Sequence, residues 1–373
     1  MGEKRVLVPS DLSEITIITQ KKPRLTDKPL TLKQICTIGM LIKDRYAVQK
    51  VIGEGTFGKV LKVTDTKTNK LHAMKIIKNT CKFGLTGFFS EHDVLEKIKT
   101  MDPTNISRLI ILESTYVIGR HLVLLFELYP ISLLHYIKKT ENGADFMDIK
   151  IVAYQVLQAL RFLSKLCLSH GDLKLENIMI VDESTLQIKV IDLGCAFKVN
   201  TQPYQYFQTR YYRAPEVTLR AYYDNAVDIW SLACIMFEMR TKSPLFECKN
   251  EARMVELLRR MIEVLGLPPK CLLREGSRTD TFFEGGKRSH FIDKSNLTPK
   301  SRSIYKMLCT HQTGEYVPWR YCSGDLRSFV ELLGKMLNYD RKYRMKVDEA
   351  MKHRFFKSVA NELENGGVYC KTT

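Results

Sequence analysis

The chain of 373 residues is 45% apolar, which is enough to bury the core of one large domain or of two smaller ones. Charged residues make up 27% of it, and this argues against disorder over most of its length. A formal net charge of +17 fits nucleic acid, acidic peptides or phosphate-rich ligands, and disfavours a strongly cationic substrate unless an acidic groove receives it.

The first part of the chain predicts an irregular extension followed by a strand-rich unit. Residues 1–45 are expected to be irregular and basic, and the basic group at 21–24 is either a weak nuclear signal or part of a solvated tail. From Tyr46 onward, apolar runs bounded by turn residues predict strands. These strands are expected at 47–52, 60–63, 71–77 and 121–126, with a helix at 90–98 before the last of them.

A helical pattern occupies the second part. Apolar residues recur at spacings of four, four and three between 148 and 168, which puts them on one face of a helix. Further helices are expected at 225–240, 251–265, 326–338 and 346–354. We interpret 268–325 as an insert and 357–373 as a C-terminal tail. The predicted fold is α+β and bilobal, with a small antiparallel β-rich lobe over 46–128 and a larger, mostly α-helical lobe over 129–356.

The cysteines and the apolar runs give an expectation about the compartment. Ten cysteines are scattered without Cys-x-x-Cys spacing, so reduced thiols are a better interpretation than a zinc site. No signal-peptide pattern opens the sequence, and the longest apolar stretch, 121–134, is interrupted by Glu127 and Pro130. We expect no membrane span and a soluble intracellular protein, in the nucleus, the cytoplasm or both.

A glycine motif, G-x-G-x-x-G-x-V, spans residues 53–60. Glycines let a backbone approach phosphate oxygens closely and offer N–H donors without a side-chain clash. The same spacing occurs in dinucleotide folds, but there a helix follows the glycines, whereas a strand follows here. The motif therefore predicts a hairpin over nucleotide phosphates, with binding residues Ile52, Gly53, Glu54, Gly55, Thr56, Phe57, Gly58, Lys59 and Val60.

Lys75 lies inside an apolar strand, and a buried ammonium group requires an anionic partner. Glu91, at the start of the predicted helix, is the candidate partner. We predict that Lys75 holds the α- and β-phosphates and that Glu91 fixes Lys75. Taken alone, this motif also allows a surface lysine at a strand end.

The loop from His170 to Asn177 reads H-x-D-x-K-x-x-N, a rare combination. Asp172 would accept the proton of an attacking hydroxyl, and Lys174 would neutralise the transferring γ-phosphoryl group. Asn177, and Asp192 twenty residues after Asp172, would bind a metal that bridges to the phosphates. The predicted catalytic residues are therefore Asp172 and Lys174, and the predicted cofactors are ATP and Mg²⁺.

Two further acidic residues are predicted to support this site. Glu216 is expected to pair with Arg344, and Asp228, at a predicted helix start, is expected to anchor the backbone of the catalytic loop. Taken alone, either acidic residue could instead be a solvated charge on the surface. Five motifs in this order in one chain make coincidence negligible.

These motifs resemble those of eukaryotic protein kinases over residues 46–356. The run YRAPEV at 212–217 and the long insert are similar to the CMGC branch, which holds the cyclin-dependent, mitogen-activated, CDC2-like (LAMMER) and dual-specificity tyrosine-regulated kinases. Gly171 departs from the family pattern, because it replaces an arginine that commonly docks an activation-loop phosphate. We interpret this as a different mode of loop ordering. Leu175 and Leu193 are apolar replacements at packing positions.

Within that branch two arms compete. Segments that resemble the CDC2-like arm are 41–46, 53–60, 90–96 and 101–103. The signature that names the LAMMER kinases is degenerate at 256–261, while 204–210 and 263–269 resemble the tyrosine-regulated arm. We prefer the CDC2-like interpretation and keep the tyrosine-regulated one as the alternative.

The resemblance implies an ATP-dependent serine/threonine or dual-specificity kinase that acts on proteins, with splicing or growth-control proteins as candidate substrates. It also implies autophosphorylation of Tyr206, or of Tyr204 as the second choice, with Arg210 or Arg213 as the partner of the phosphate. We expect a monomer without direct nucleic-acid binding.

The resemblance also places the adenine. The adenine would bind to a hinge at Glu127 and Tyr129, and the bulky side chain of Phe126 would narrow the pocket at its back. The hinge residues therefore complete the predicted nucleotide site.

Two rival functions are weighed against this interpretation. Antibiotic kinases share the His-Gly-Asp pattern, but they lack the Ala-Pro-Glu stretch at 214–216 and its arginine partner. A non-enzymatic pseudokinase scaffold would be marked by loss of Lys75, Asp172, Asn177 or Asp192, and all four are present.

Overall fold

The computed structural model has two lobes joined after Glu127. It describes residues 31–55, 58–77, 82–119, 121–202, 206–248, 254–284, 290–292, 297–313 and 318–364. Among these residues, no helix has both the length and the apolar composition that a bilayer crossing needs. The α+β bilobal fold predicted from the sequence is confirmed.

The first lobe is an antiparallel six-stranded sheet in the order β1-β2-β3-β4-β6-β5. Its strands are β1 (Leu41–Ile42), β2 (Tyr46–Glu54), β3 (Gly58–Asp65), β4 (Leu71–Ile77), β5 (Leu112–Ile118) and β6 (His121–Glu127). Side chains alternate between the two faces of each strand, and Leu61 and Val63 of β3 are fully buried in the lobe's own core. The register pairs Lys75 with Val60 on one side and Leu124 on the other. It therefore brings the predicted phosphate-binding lysine next to the glycine hairpin.

Ordered structure begins before the first predicted strand. Helix α1 (Leu32–Ile35) starts at a capping box, in which Thr31 Oγ1 accepts a hydrogen bond from Gln34 N and Gln34 Oε1 accepts one from Thr31 N. Ile35 of this helix and Ile42 of β1 are buried in the core of the first lobe. Residues 31–45 therefore contain two short regular elements within the segment that the sequence predicts to be irregular. Residues 1–30, with the basic group at 21–24, lie outside the described residues.

Helix α2 (Lys82–Met101) crosses behind the sheet and carries Glu91. It is longer than the predicted helix at 90–98. Its first turns were not predicted, because they contain Gly84 and Gly87, which have low helix propensity. Leu95 and Ile98 are buried at the face that packs on the rest of the molecule.

The second lobe is mostly helical. Its helices are α3 (Leu133–Lys139), α4 (Phe146–Lys165), α5 (Pro215–Leu219), α6 (Ala226–Thr241), α7 (Met254–Leu265), α8 (Lys270–Glu275), α9 (Thr279–Phe282), α10 (Ile304–Thr313), α11 (Gly324–Met336), α12 (Val347–Met351) and α13 (Ala360–Glu364). Helix α6 is buried around nearly its whole circumference, with Trp230 fully enclosed, and the lobe packs around it.

Short strands frame the loops of the second lobe. They are β7 (Ile131–Ser132), β8 (Leu168–Ser169), β9 (Ile178–Asp182), β10 (Gln187–Val190), β11 (Phe197–Lys198), β12 (Phe283–Glu284) and β13 (His290–Phe291). β8 pairs with β11, and β9 pairs with β7 and β10. The loop that carries Asp172 connects β8 to β9, and the segment that carries Asp192 connects β10 to β11. These pairings hold the two segments side by side.

The insert and the tail both contain regular structure. Residues 268–325 include α8, α9, the β12–β13 hairpin and α10, so this segment is folded where it is described. In the tail, Leu363 of α13 is buried, and Glu364 Oε1 accepts a hydrogen bond from Arg161 of α4 at 2.8 Å. The start of the tail thereby packs on the second lobe.

Candidate active site

A carboxylate of α6 holds the backbone of the catalytic loop in place. Asp228 Oδ2 accepts hydrogen bonds from Ser169 Oγ and His170 N, both at 2.7 Å, and its Oδ1 accepts one from Gly171 N at 3.0 Å. Asp228 is 2% exposed, so these bonds are shielded from water. The anchoring of the loop backbone that we expected from Asp228 is present.

Gly171 has a backbone conformation that suits glycine. Its φ is +78°, and a Cβ added there would lie 2.4 Å from the carbonyl oxygen of Cys195. Any side chain at this position would therefore force the loop and the segment after Asp192 apart. This close approach gives a structural reason for the departure from the family arginine.

Asp172 lies in a cluster of donors. Its Oδ1 accepts hydrogen bonds from Thr209 N and Thr209 Oγ1, both at 2.8 Å, and its Oδ2 accepts one from Lys174 Nζ at 2.6 Å. Burial lowers the pKa of Lys174, but the charge of Asp172, its hydrogen bond and the charges of Asp192 and Glu176 together outweigh this and leave the pKa raised. The lysine is therefore held as a cation beside the carboxylate. Thr209 was not among the predicted site residues.

Asn177 connects this cluster to the second predicted metal ligand. Its side-chain Nδ2 donates to the carbonyl oxygen of Asp172 at 2.9 Å, and its own carbonyl oxygen accepts from Ile191 N at 2.9 Å. The chain then turns directly into Asp192. Asn177 and Asp192 thus lie at neighbouring points of the same cleft.

Lys75 bridges two carboxylates. Its Nζ lies 2.7 Å from both oxygens of Glu91 and 2.9 Å from Asp192 Oδ1. Burial lowers the pKa of Lys75, but Asp192 and Glu91 more than compensate and raise it, so the lysine stays charged. The Lys75 charge in turn holds the pKa of Asp192 at about 2. The expected pair of Lys75 and Glu91 is present, and Asp192 joins it.

Gly58 brings the glycine hairpin close to the neighbouring strand. A Cβ at Gly58 would lie 2.1 Å from the carbonyl oxygen of Ile76, so only glycine fits without movement of β3. Gly53 faces Val60 across the hairpin and Glu54 faces Lys59, whose Nζ lies 3.2 Å from Glu54 Oε2.

The tip of the hairpin closes with a backbone bond from Gly55 N to Gly58 O of 3.0 Å. Ile52 is 42% exposed, so apolar surface is available beside the hairpin. Thr56 and Phe57 lie outside the described residues.

The predicted hinge follows β6. Glu127 ends the strand and is exposed, whereas Tyr129 is buried. Burial raises the pKa of the Tyr129 phenol, and a hydrogen bond to Glu127 adds to the effect. Phe126 is buried opposite Ala73 of β4, behind the position predicted for the adenine.

An enclosed ion pair ties α5 to the end of the second lobe. Arg344 donates to the two oxygens of Glu216 at 2.7 and 2.9 Å, and both side chains are almost fully buried. Arg344 also donates to the carbonyl oxygens of Asn338 and Ala226. The ion pair that we expected between Glu216 and Arg344 is present.

The activation segment, which runs between Asp192 and Ala214, places Tyr206 beside a buried cation. The Arg213 guanidinium lies 4.0 Å from the centre of the Tyr206 ring. Burial opposes ionisation of the Tyr206 phenol, but Arg213 and Arg210 outweigh it, and the pKa lies below its ordinary value. Tyr206 is 50% exposed, and Tyr204 lies outside the described residues.

The donor set fits a magnesium nucleotide. Asp192 offers a carboxylate with a low pKa, and Asn177 offers a side-chain amide, which are the oxygen donors that Mg²⁺ accepts. Gly194 leaves room next to them, because a Cβ there would lie 3.3 Å from Asp192 Oδ1 and 3.6 Å from Lys75 Nζ. The lysine adds a positive charge for phosphate oxygens.

Comparison with known proteins agrees with this geometry. The protein kinase domain family model matches residues 46–356. Dual specificity tyrosine-phosphorylation-regulated kinase 2 of Drosophila melanogaster is 36% identical over 85% of this chain and 42% of its own length. Serine/threonine-protein kinase ppk5 of Schizosaccharomyces pombe is 35% identical over 83% of this chain and 36% of its own.

A human relative is similar to the same degree. Dual specificity tyrosine-phosphorylation-regulated kinase 4 is 34% identical over 85% of this chain and 58% of its own length. The chain therefore spans between 36% and 58% of the length of these three relatives. From the match over 46–356 and the geometry of the cleft, the chain belongs to the protein kinase family.

Proposed function

We propose that the chain is an ATP-dependent serine/threonine kinase of the dual-specificity tyrosine-regulated type. The CDC2-like type, which we preferred from the sequence alone, becomes the alternative. Two of the three relatives described above carry tyrosine-regulated kinase names, and this favours the change. Protein hydroxyl groups are the proposed acceptors.

The observation that carries the proposal is the pairing of Asp172 with Lys174 at one side of the cleft. Asp172 would accept the proton of a serine or threonine hydroxyl, because its carboxylate is held by donors and is 15% exposed. Lys174, at 2.6 Å from this carboxylate, would place a positive charge where negative charge develops on the transferred group.

The opposite side of the cleft would hold the nucleotide. Lys75, fixed by Glu91, would bind phosphate oxygens, and the hairpin over 53–60 would cover them with backbone N–H groups. Asn177 and Asp192 would hold magnesium, which neutralises charge on the phosphates when it is bound. Glu127 and Tyr129 would flank the adenine at the hinge.

Tyrosine regulation would act through Tyr206. Its phenol is half exposed and lies over Arg213, so a phosphate on it would meet the guanidinium groups of Arg213 and Arg210. Arg213 also donates to the carbonyl oxygens of Phe207 and Gln208 at 2.8 and 2.6 Å. Modification of Tyr206 would therefore add charge-assisted bonds to a cation that already holds the segment.

Position-scanning peptide libraries with γ-labelled ATP would test the proposed type. A preference for proline immediately after the acceptor supports the tyrosine-regulated type. A preference for arginine near the acceptor without this proline would favour the CDC2-like alternative. Mass spectrometry of the active protein made in bacteria should find phosphate on Tyr206, and an active preparation without phosphotyrosine there or at Tyr204 would contradict the regulation proposed.

A further inference from the structure

Two cysteines of the insert region lie close together, far along the chain from the kinase motifs. Cys309 is on α10, and Cys322 follows the short 3-10 turn Trp319–Tyr321. Their sulfur atoms are 4.0 Å apart, and the residues are 2% and 8% exposed. The eight cysteines of the described part of the chain are all reduced. The two thiols thus share one buried site.

Tyr305 of α10 completes this site. Its hydroxyl oxygen lies 2.7 Å from the Cys322 sulfur, and its ring packs edge to face on Trp319 with centres 4.8 Å apart. Desolvation, together with hydrogen bonds to the two sulfur atoms, raises the pKa of the phenol, so it stays protonated. The Cys322 thiol has the carbonyl oxygen of Pro318 as an acceptor at 3.7 Å. The Tyr305 hydroxyl is therefore able to donate to the sulfur of Cys322.

We propose that Cys309 and Cys322 are a dithiol modification site that hydrogen peroxide converts into a reversible disulfide. A disulfide has a sulfur–sulfur distance of about 2 Å, so the two sulfur atoms need to approach by about another 2 Å. Cys309 is on α10 and Cys322 directly follows the short turn Trp319–Tyr321, so this approach would require the segment around Cys322 to move toward α10. In a reducing compartment such a bond is transient and follows the peroxide level.

The chemistry balances with peroxide as the oxidant. The Cys322 sulfur, the more exposed of the two, attacks one peroxide oxygen, the O–O bond breaks, and a sulfenic acid and one water form. The Tyr305 hydroxyl, 2.7 Å from this sulfur, would donate a hydrogen bond to it during the attack. The Cys309 sulfur then attacks the Cys322 sulfur, the S–O bond breaks, and the hydroxyl leaves with the Cys309 proton as water. Two thiols are oxidised, and one peroxide is reduced to two waters.

The bond would tie two elements of the second lobe together. Helix α10 lies against α6, and Cys322 directly precedes Ser323, which caps α11 by accepting a hydrogen bond from Leu326 N at 3.1 Å. Since none of these residues belongs to the proposed active site, the first expected effect is on the rigidity of the insert. The inference stands independently of the proposed kinase activity.

Peptide mapping of the full chain tests the proposal. The protein is treated with hydrogen peroxide, its remaining thiols are blocked with N-ethylmaleimide, and it is digested without reductant. A linked peptide pair that contains Cys309 and Cys322, lighter by two hydrogens and released by dithiothreitol, is expected in most molecules. The proposal is overturned if both cysteines remain fully alkylated after the exposed Cys271 has been oxidised, or if either cysteine links mainly to another.

Matched variants sharpen this test. Cys309→Ser should abolish the linked pair and leave a sulfenic acid on Cys322 that dimedone traps, whereas Cys271→Ser should form the pair at the wild-type rate. Tyr305→Phe should slow its formation several-fold, and a wild-type rate in this variant would contradict the part assigned to Tyr305. The wild-type map is decisive even if a variant fails to fold.

Discussion

Thr209 donates two hydrogen bonds to a single oxygen of Asp172, one from its backbone N–H and one from its hydroxyl, both at 2.8 Å. The residue before it, Gln208, is buried, and its side-chain amide donates to Ser231 Oγ at 2.9 Å and accepts from Ala214 N at 3.0 Å. Thr209 thus connects the activation segment to the catalytic loop through Asp172, and Lys174 Nζ donates to the Thr209 hydroxyl at 3.3 Å. A different mode of loop ordering, which we interpreted from Gly171, stays a prediction that this contact would serve.

Replacement of Thr209 by valine should reduce kcat. The change keeps the size of the side chain and the backbone N–H but removes the hydroxyl that bonds Asp172. Hydrogen bonds to charged groups contribute about 1.5–3 kcal/mol, so kcat should fall roughly tenfold to a hundredfold while KM for ATP changes little. Steady-state kinetics would measure this, with Thr209→Ser as the control that keeps kcat. A valine variant with wild-type kcat would show that the hydroxyl is dispensable.

Glu91→Gln should weaken the use of ATP. The amide has the same shape but no charge, so Lys75 would lose one of its two carboxylate partners and would be drawn toward Asp192. We expect kcat/KM for ATP to fall by about one to two orders of magnitude. Glu96→Gln on the same helix, at a side chain that is 45% exposed, is the matched control. Equal losses in both variants would mean that the Lys75 pair has no special role.

Arg344→Met should destabilise the second lobe. It would leave the Glu216 carboxylate buried without its cation, a change that costs about 3–5 kcal/mol. Lys335→Met removes an exposed partner of Glu331 and should cost under about 1 kcal/mol. Urea unfolding followed by circular dichroism compares the two variants. Similar midpoints would contradict the importance given to the buried pair.

Glu238 predicts a pH dependence of stability. Burial raises its pKa to about 7, although a hydrogen bond from Tyr212 lowers it in part. Between the usual pKa of a glutamate, about 4.3, and pH 7 the folded state holds the proton more tightly than the unfolded state does, so this contribution to stability is lost as pH rises. The loss amounts to about 4 kcal/mol.

The Glu238→Gln variant checks this assignment. Because glutamine does not titrate, the fall in Tm between pH 5 and pH 8 should be smaller in the variant than in the wild type. Thermal unfolding at a series of pH values measures the difference. Parallel curves for the two proteins would rule out Glu238 as the titrating group.

The sequence was sufficient for the parts of the site that depend on local pattern. Lys75 was predictable because a buried ammonium group in an apolar strand requires a carboxylate, and Glu91 lay on the next helix. The pair of Glu216 and Arg344 and the anchor Asp228 followed from the motif order, and the structure contains both arrangements.

Thr209 was missed for a physical reason. Its bonds to Asp172 join residues 37 positions apart, and they depend on the path of the activation segment, which no periodicity encodes. Helix α1 and strand β1 were also not predicted, because elements of four and two residues are too short to show a periodic pattern. The glycines at 84 and 87 hid the start of α2, because packing overrides low helix propensity.

The most direct test of the account is phosphate transfer by Asp172→Asn. With γ-labelled ATP and a peptide acceptor, the wild type should transfer label, and the variant should be slower by about a hundredfold or more, because asparagine does not accept the hydroxyl proton. Affinity for ATP should be unchanged, since Lys75 and the glycine hairpin remain. Wild type and variant that transfer label equally poorly, with ATP still bound, would contradict catalysis and favour a binding scaffold.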